Sequence, residues 1–378
     1  MTDYKDINSI EDFDSLCTRT GDKTKRNLKF TKCNFNFDII ISEVLNEVKF
    51  EDCIFNGKVN FISSFDLNAT FRRVTFKKNT TFANSRFNAK ARFNEVNFQD
   101  TVHFDNTRFA DLADFWASTF DKAVIFYKTD FIGITVFSRT TFKKNVLFTY
   151  TLIDKVVIFR GTRFESGLDL SLCILNGNFN IFDIILTDFE TIAVIDDEDC
   201  YEDSVSESGI IPEKNKRETF KLLKTQLQSQ GNKIESLKYS NLETITYYKQ
   251  LHRAFWHQKK YYETFNDYII HWLNSISNKN EKSWVRGIFF TLIIAGIFFY
   301  SAVLSTDRYY FSFDLLNLTD FYDCLKLYFE FLTPNHKVAF LDNFDSTPLT
   351  YLIDFAGRAF TTYGIYQTIQ AFRKHRNT

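Results

Sequence analysis

The sequence predicts a β-solenoid plus α fold: a four-sided β-helix, then a helical stalk and two transmembrane helices. Three observations carry that expectation. Phe recurs every five or six residues through much of the first half. A stretch free of Gly and Pro, with apolar residues three and four apart, runs from Lys233 to Ile276. The segment from Val285 to Leu304 holds a single charge, Arg286. Of 378 residues 45 are Phe, 12 Gly and 3 Pro, and that Phe share is about three times the ordinary one.

Charge is balanced at 46 basic to 47 acidic residues, which leaves no overall basicity for holding nucleic acid. Cys17, Cys33, Cys53, Cys173, Cys200 and Cys324 form no CxxC pair, and the polar start MTDYKDINSIEDFDSLC has no secretory leader. The expectation is a reduced, cytosol-facing body; a disulfide scaffold, a zinc ribbon and a secreted enzyme lose ground.

After an N-terminal segment (1–27), the repeat spans 28–195. Phe stands at 71, 76, 82, 87, 93, 98, 104, 109, 115, 120, 126, 131, 137, 142, 148, 159 and 164, with Ile153 between the last three, so 17 of 18 consecutive sites in a period-11 register are Phe. Leu170, Leu175, Ile181, Leu186 and Ile192 continue it. Upstream, Phe30, Phe35, Ile40, Leu45, Phe50 and Phe55 are five apart, and Phe61 and Phe65 read as an irregular junction. Two residues before each of the 18 sites stands a small or β-branched residue, from Ala69 and Val74 to Val157 and Thr162. Cys33, Cys53 and Cys173 fill the same slot and read as core.

Neither the helical period of 3.6 nor the strand period of 2 sends a large apolar residue inward at this spacing. A square coil does. Each side sends one large and one small side chain inward and the rest to water, as in FKKNTTFANSRFNAKARFNEVNF (76–98). Turns of about 20 to 22 residues, stacked ~4.8 Å apart, give some seven or eight coils and a rod of about 35 Å. Each coil buries its Phe only against its neighbours, so stability is nearest-neighbour in kind.

This pattern, a small residue at i−2 and Phe or Leu at i, resembles the pentapeptide-repeat family over about 165 residues, and the sixth residue in alternate repeats resembles its Phe-rich branch. The resemblance implies a right-handed quadrilateral β-helix that serves mostly as a binding surface. One subset of that family resembles acidic DNA and inhibits gyrase. Residues 71–175 hold 16 Lys or Arg against 10 Asp or Glu, the wrong sign for DNA mimicry. The basic doublets Arg72 and Arg73, Lys77 and Lys78, and Lys143 and Lys144 are instead the surface candidates for a cytosolic protein partner.

An acidic linker (196–211) follows, with seven carboxylates in DDEDCYEDSVSES; it reads as a solvated tether and not a metal loop. The helical stalk (212–283) starts at Pro212, turns at Gly231 and continues as one long amphipathic helix from Lys233 to Ile276. Its apolar stripe, including Tyr262, Phe265, Ile269 and Trp272, reads as packing. His252, His257 and His271 read as surface or packing residues. Thirteen basic against seven acidic residues over 213–283 would draw the stalk to anionic lipid.

The first transmembrane helix (284–305) has the length a bilayer core demands, with Trp284 and Tyr300 suited to its interfaces. An external loop (306–348) carries an amphipathic helix with Leu318, Phe321, Leu325, Phe329 and Leu332 on one side. The second transmembrane helix (349–372) is long enough but contains Asp354, Arg358, Gln367 and Gln370. Basic residues precede the first helix and fill the tail (373–378), whereas the loop has seven acidic and three basic residues, which places both ends inside.

Asp354 and Arg358 lie one turn apart and can pair, while Gly357, Thr361 and Gly364 form a small stripe for close helix approach. Alternatively Asp354, Arg358, Thr361 and Gln367 line a water-filled path built by a homo-oligomer. The layout also resembles bacterial proteins in which a cytosolic pentapeptide-repeat solenoid precedes a stalk and a membrane hairpin, with SLKYSNLE, KSWVRGIFF and YGIYQTIQAFRK as the shared segments. That resemblance implies the bacterial inner membrane. No Walker loop, G-x-G-x-x-G, H-E-x-x-H or G-x-S-x-G occurs, so no enzyme and no cofactor is expected. The leading expectation is a membrane-anchored scaffold; the alternative is an ion channel or membrane-perturbing effector gated by its solenoid.

Overall fold

The structure, a computed structural model, describes residues 4–19, 25–192, 209–256, 261–279, 283–306, 318–336 and 346–376. The acidic run 196–208 lies outside the described residues, as do parts of the expected external loop and the end of the basic tail. Two compact units divide at Tyr247 and Tyr248.

The first unit is a β-solenoid of about seven turns. Short strands stack into four faces, parallel wherever successive coils meet. Residues 22 apart come into register, as in Phe71 opposite Phe93 and Phe76 opposite Phe98. The rings therefore form columns. On the first face Phe71, Phe93, Phe115 and Phe137 stack at 5.0 Å between centroids, and on the second Phe76, Phe98, Phe120 and Phe142 at 4.9 to 5.2 Å. These are the strand spacing carried into the core, and Phe71 and Phe93 also lie edge-on to Phe82 of the third face. Every small residue at i−2 from Ala69 to Thr162 is buried beside them.

The alternation of five and six residues has a backbone cause. In each five-residue side the second residue after the Phe takes positive φ: Arg73, Asn84, Glu95, Asn106, Ala117, Lys128, Arg139, Tyr150 and Gly161, eleven apart. The amide three residues after the Phe closes onto its carbonyl, as Ser85 N to Phe82 O and Thr140 N to Phe137 O, which makes a type II turn. The six-residue sides turn with one more residue and no positive φ. In the five-residue corners the small residue is mostly Ser or Thr, and its hydroxyl donates to the Phe carbonyl of the coil before: Thr107 to Phe82, Thr129 to Phe104 and Thr162 to Phe137, at 2.7 to 2.8 Å.

Upstream, the strict five-residue spacing gives way at one site. Ile40 is 71% exposed, and Ile39 and Ile41 are buried instead, Ile41 in register with Phe61. The inward residue is Ile41, because this side has six residues and the next four. Phe61 and Phe65 are ordinary members of the third and fourth columns, stacked on Phe82 and Phe87.

Both ends of the stack are covered. Helix α1 (Ile10–Ser15) is N-capped by the Ser9 hydroxyl and lays Phe13 on Phe30 at 5.0 Å as one more rung. At the other end α2 (Glu213–Ser229) offers a buried polar face to the last coils. Asn215 donates to the buried Asp169 at 2.8 Å, and Thr219 accepts from the Leu170 amide at 2.9 Å. Gln230, beside α2, bonds the backbone of Phe179 and Ile181. Side-chain amides thus satisfy the edge that another strand would otherwise fill. Helix α3 (Lys233–Trp256) returns along α2 after Gly231, with Lys224 on Glu243 at 2.7 Å.

In the second unit the single helix expected from Lys233 to Ile276 is two, α3 and α4 (Tyr261–Asn278). The Tyr268 ring stacks on Phe255 at 4.8 Å and on Tyr248 at 5.9 Å. One straight helix would hold those pairs roughly 20 and 30 Å apart. Three further helices complete the unit: α5 (Trp284–Leu304), α6 (Leu318–Phe331) and α7 (Pro348–Arg376). Among the described residues α5 alone is long and apolar enough to cross a membrane by length and composition.

Helices α5 and α7 pack antiparallel. Trp284 stacks on Phe372, Phe298 on Phe360, and Ser305 bonds Thr350. Close approach rests on glycine: a Cβ on Gly364 would meet Thr291 at 2.4 Å, and one on Gly287 would meet Thr368 at 2.6 Å. Against this pair α6 buries Phe331 beside Phe299 and Val303, leaving Leu325 and Phe329 exposed.

Candidate functional site

Polar residues of α7 expected at membrane depth are gathered inside the helical unit. Asp354 is buried and held from two sides. Arg358 donates Nε to Oδ2 at 2.9 Å, and His336 Nε2 lies 2.7 Å from Oδ1. The expected i, i+4 pair is present. His336 was not foreseen: it is 18 residues away, on the far side of a segment whose sequence gives no spacing signal. Its Nδ1 faces the Thr333 carbonyl at 2.7 Å. A carbonyl only accepts, so Nδ1 carries the hydrogen in that contact.

Gly357 lies under this cluster, where a Cβ would meet the Phe331 ring at 2.5 Å. Thr361 is fully buried, with Oγ1 unpartnered. Gly364 is the close-contact point with Thr291. Gln367 joins a second polar cluster: it bonds Asn278 at 2.5 Å and donates to Asn274 at 2.9 Å, as does the Tyr363 hydroxyl. Gly357 and Gly364 thus let helices approach closely, and the His336–Asp354 contact ties the turn after α6 to α7. Asp354 and Gln367 spend their polar surface within one chain, Thr361 is enclosed with its hydroxyl unpartnered, and Arg358, 30% exposed, is the least enclosed of the set.

The solenoid candidates are brought together by the fold. Arg72 and Arg73 sit at the corner leading into the second face, and Lys77 and Lys78 at the corner leaving it. Three coils on, Lys143 and Lys144 repeat the Lys77 and Lys78 positions, because 66 residues are three 22-residue turns. The same two corners carry Arg139 and Arg160, and Lys122. Between them lies a flat strip whose outward residues are Thr75, Asn97, Thr119 and Thr141. Two of the candidates are already engaged: Arg73 is bidentate on Asp52 at 2.5 and 2.8 Å, and Lys143 lies 2.8 Å from Asp121. The Arg73 guanidinium holds the Asp52 carboxyl below its usual range. Arg72, Lys77, Lys78 and Lys144 are exposed.

The thiols of the repeat are core groups. Cys53 is fully buried and pushed up to about 12 by that burial; burial likewise pushes Cys173 up to about 12. Such thiols are poor nucleophiles. Among the described residues no group of three His, Cys, Asp or Glu is placed to hold a metal ion. No family model matches the chain, and no curated protein matches it.

Proposed function

We propose that this chain is a membrane-anchored scaffold of the pentapeptide-repeat type, presenting a cytosolic solenoid face to a protein partner. The observation that carries the reading is the set of exposed cations Arg72, Lys77, Lys78 and Lys144 on the two edges of one flat face, where basic residues outnumber the carboxylates Glu95, Asp100, Asp121 and Glu165. Capped ends support it too, since a solenoid closed by Phe13 and by α2 does not extend by stacking and leaves its sides for contact. The partner surface that fits is flat and acidic.

The anchor in this reading is the α5–α7 pair. Helix α7 carries polar residues among its apolar ones, yet Thr350, Asp354, Thr361 and Gln367 are buried, while Leu352, Phe355, Tyr366 and Ile369 face outward. Helix α5 likewise turns Phe289, Ile293 and Ile297 outward. Such an apolar exterior around a polar interior suits lipid. Antiparallel packing brings Arg286 and Arg373 to the same end, the cytosolic one under the positive-inside rule. The pore-lining alternative has less support, because Asp354 and Gln367 bond within a single chain and Thr361 is enclosed there.

Two measurements test the proposal. The chain expressed in bacteria should resist alkaline extraction from inner membranes, with both termini protected in intact spheroplasts; release into the soluble fraction ends the anchor reading. Cross-linking in cells should capture a partner that Lys78→Glu with Lys144→Glu abolishes and Arg86→Glu with Arg108→Glu, on the fourth face, retains. Equal capture by both variants ends the assignment of the face.

A further inference from the structure

Helix α4 is amphipathic in the reverse sense to a helix of a water-soluble bundle. Its polar residues Asn274 and Asn278 turn inward to Tyr363 and Gln367 of α7. Its apolar residues Tyr262, Phe265, Ile269, Trp272 and Ile276, spaced three, four, three and four, lie on the other side and are 37% to 102% exposed. Five large apolar side chains in one uncovered row form a patch that a soluble surface avoids. The expected packing stripe is largely uncovered among the described residues, with Phe265 meeting the Phe255 ring at 6.3 Å.

The position of the stripe identifies what covers it. Gln367 is one residue from Thr368, which touches Gly287 in the first turn of α5. The C-terminal end of α4 therefore sits level with the start of α5, where Trp284 stacks on Phe372. Lys259 and Lys260 precede α4 in the sequence, and Lys279, Lys282 and Arg286 follow it. Apolar residues rich in Trp and Tyr, bracketed by cations, at the end of an apolar helix, match the boundary between lipid headgroups and acyl chains. A coiled coil with a second copy fits less well, since Tyr, Phe and Trp occupy seam positions where Leu and Ile pack best.

We propose that α4 is an in-plane membrane element whose stripe inserts into the cytosolic headgroup–acyl boundary of an anionic bilayer. The proposal rests on the reading that α5 crosses the membrane. It turns the C-terminal part of the expected stalk into part of the anchor.

The test uses full-length protein in phosphatidylethanolamine–phosphatidylglycerol vesicles containing brominated lipid. Trp116, Trp256, Trp272 and Trp284 are the four tryptophans, and all but Trp272 are changed to Phe in one variant, all but Trp284 in a second. An Ile269→Trp reporter in a variant with all four natural Trp changed to Phe supplies an independent probe of the same stripe. The expected result is about twofold quenching of Trp272 and of the Ile269→Trp probe by lipid brominated near the headgroup, for residues inserted about 5–10 Å. Trp272 and the probe unquenched by lipid but quenched by aqueous iodide, with Trp284 still quenched by lipid, overturn this inference alone. Trp272 and the probe shielded from both lipid and iodide point to a second copy and overturn it as well. Trp284 unquenched by lipid overturns the membrane reading beneath it.

Discussion

The Thr140 hydroxyl donates to the Phe115 carbonyl, 25 residues earlier and one coil away, at 2.7 Å. Thr135, in the neighbouring six-residue corner, is equally buried but its Oγ1 has no partner. The two threonines share a slot in the sequence pattern and differ in what the fold asks of them. Thr140→Val should cost about 1 kcal/mol, the net worth of one buried hydrogen bond. Thr135→Val should be neutral or stabilising, since it removes an unpaired buried hydroxyl. Urea midpoints of the two variants give the comparison, and equal losses would count against the hydroxyl ladder.

Two glycines of the solenoid should respond oppositely to alanine. A Cβ on Gly133 would fall 2.1 Å from the Asp111 carbonyl oxygen, a backbone atom of the coil before. Gly161 has φ +65 and nothing nearer than 3.8 Å. Gly161→Ala should therefore cost about 1–2 kcal/mol, the left-handed penalty alone, in line with Ala117 at the matching position two coils earlier. Gly133→Ala should cost more, because the main chain must move. Thermal unfolding of the two variants decides the order.

Removing α1 should convert a capped rod into a sticky one. Phe13 covers Phe30 and Phe35, and Arg26 ties Asp14 and Glu43 to the same end. Deleting residues 1–19 exposes those rings and an unpaired strand edge. Sedimentation of the solenoid unit should then show association that rises with concentration, absent from the intact unit.

Cys53 should be inert in the native state. With its pKa raised to about 12 by burial, the thiol stays protonated where a free one ionises near 9. The sign follows: this group's contribution to stability is complete below about pH 9 and is lost as pH rises towards 12. Maleimide labelling at pH 8 should modify Cys53 only after denaturant is added, and fast native labelling at that site would contradict the buried slot.

Asp354 answers two partners, Arg358 and His336, so removing it should hurt more than removing either partner. Asp354→Leu leaves Arg358 and His336 facing one another, at a cost of about 3–5 kcal/mol. Arg358→Leu should cost less, because His336 remains on the carboxylate and Arg358 is partly solvated. The double variant should recover much of the loss. Thermal unfolding in detergent measures all three.

How much of this was legible depended on how local each signal is. The Phe register and the small slot before it were readable because a solenoid repeats one local geometry, so periodicity survives in the chain. Ile41 displaced Ile40 because corner length, four to six residues, is set by turn geometry that side-chain character does not encode. The division of the i−2 slot into hydroxyl and aliphatic corners follows from type II turns, visible in sequence only once the corners are known. His336 could not be linked to Asp354, since the pair is made by helix packing and not by spacing. The break between α3 and α4 was missed because no Gly or Pro marks it; ring packing on Tyr268 folds the chain back.

The sequence by itself determined the stacked coils, the ring columns inside them and the apolar length of α5, because each follows from composition repeated along the chain. Tertiary structure alone decided which residues close the ends, which face the basic doublets share, and which side of α4 and α7 turns outward. Those depend on contacts between segments distant in sequence, where burial of one polar group is repaid only by a partner that no local pattern announces.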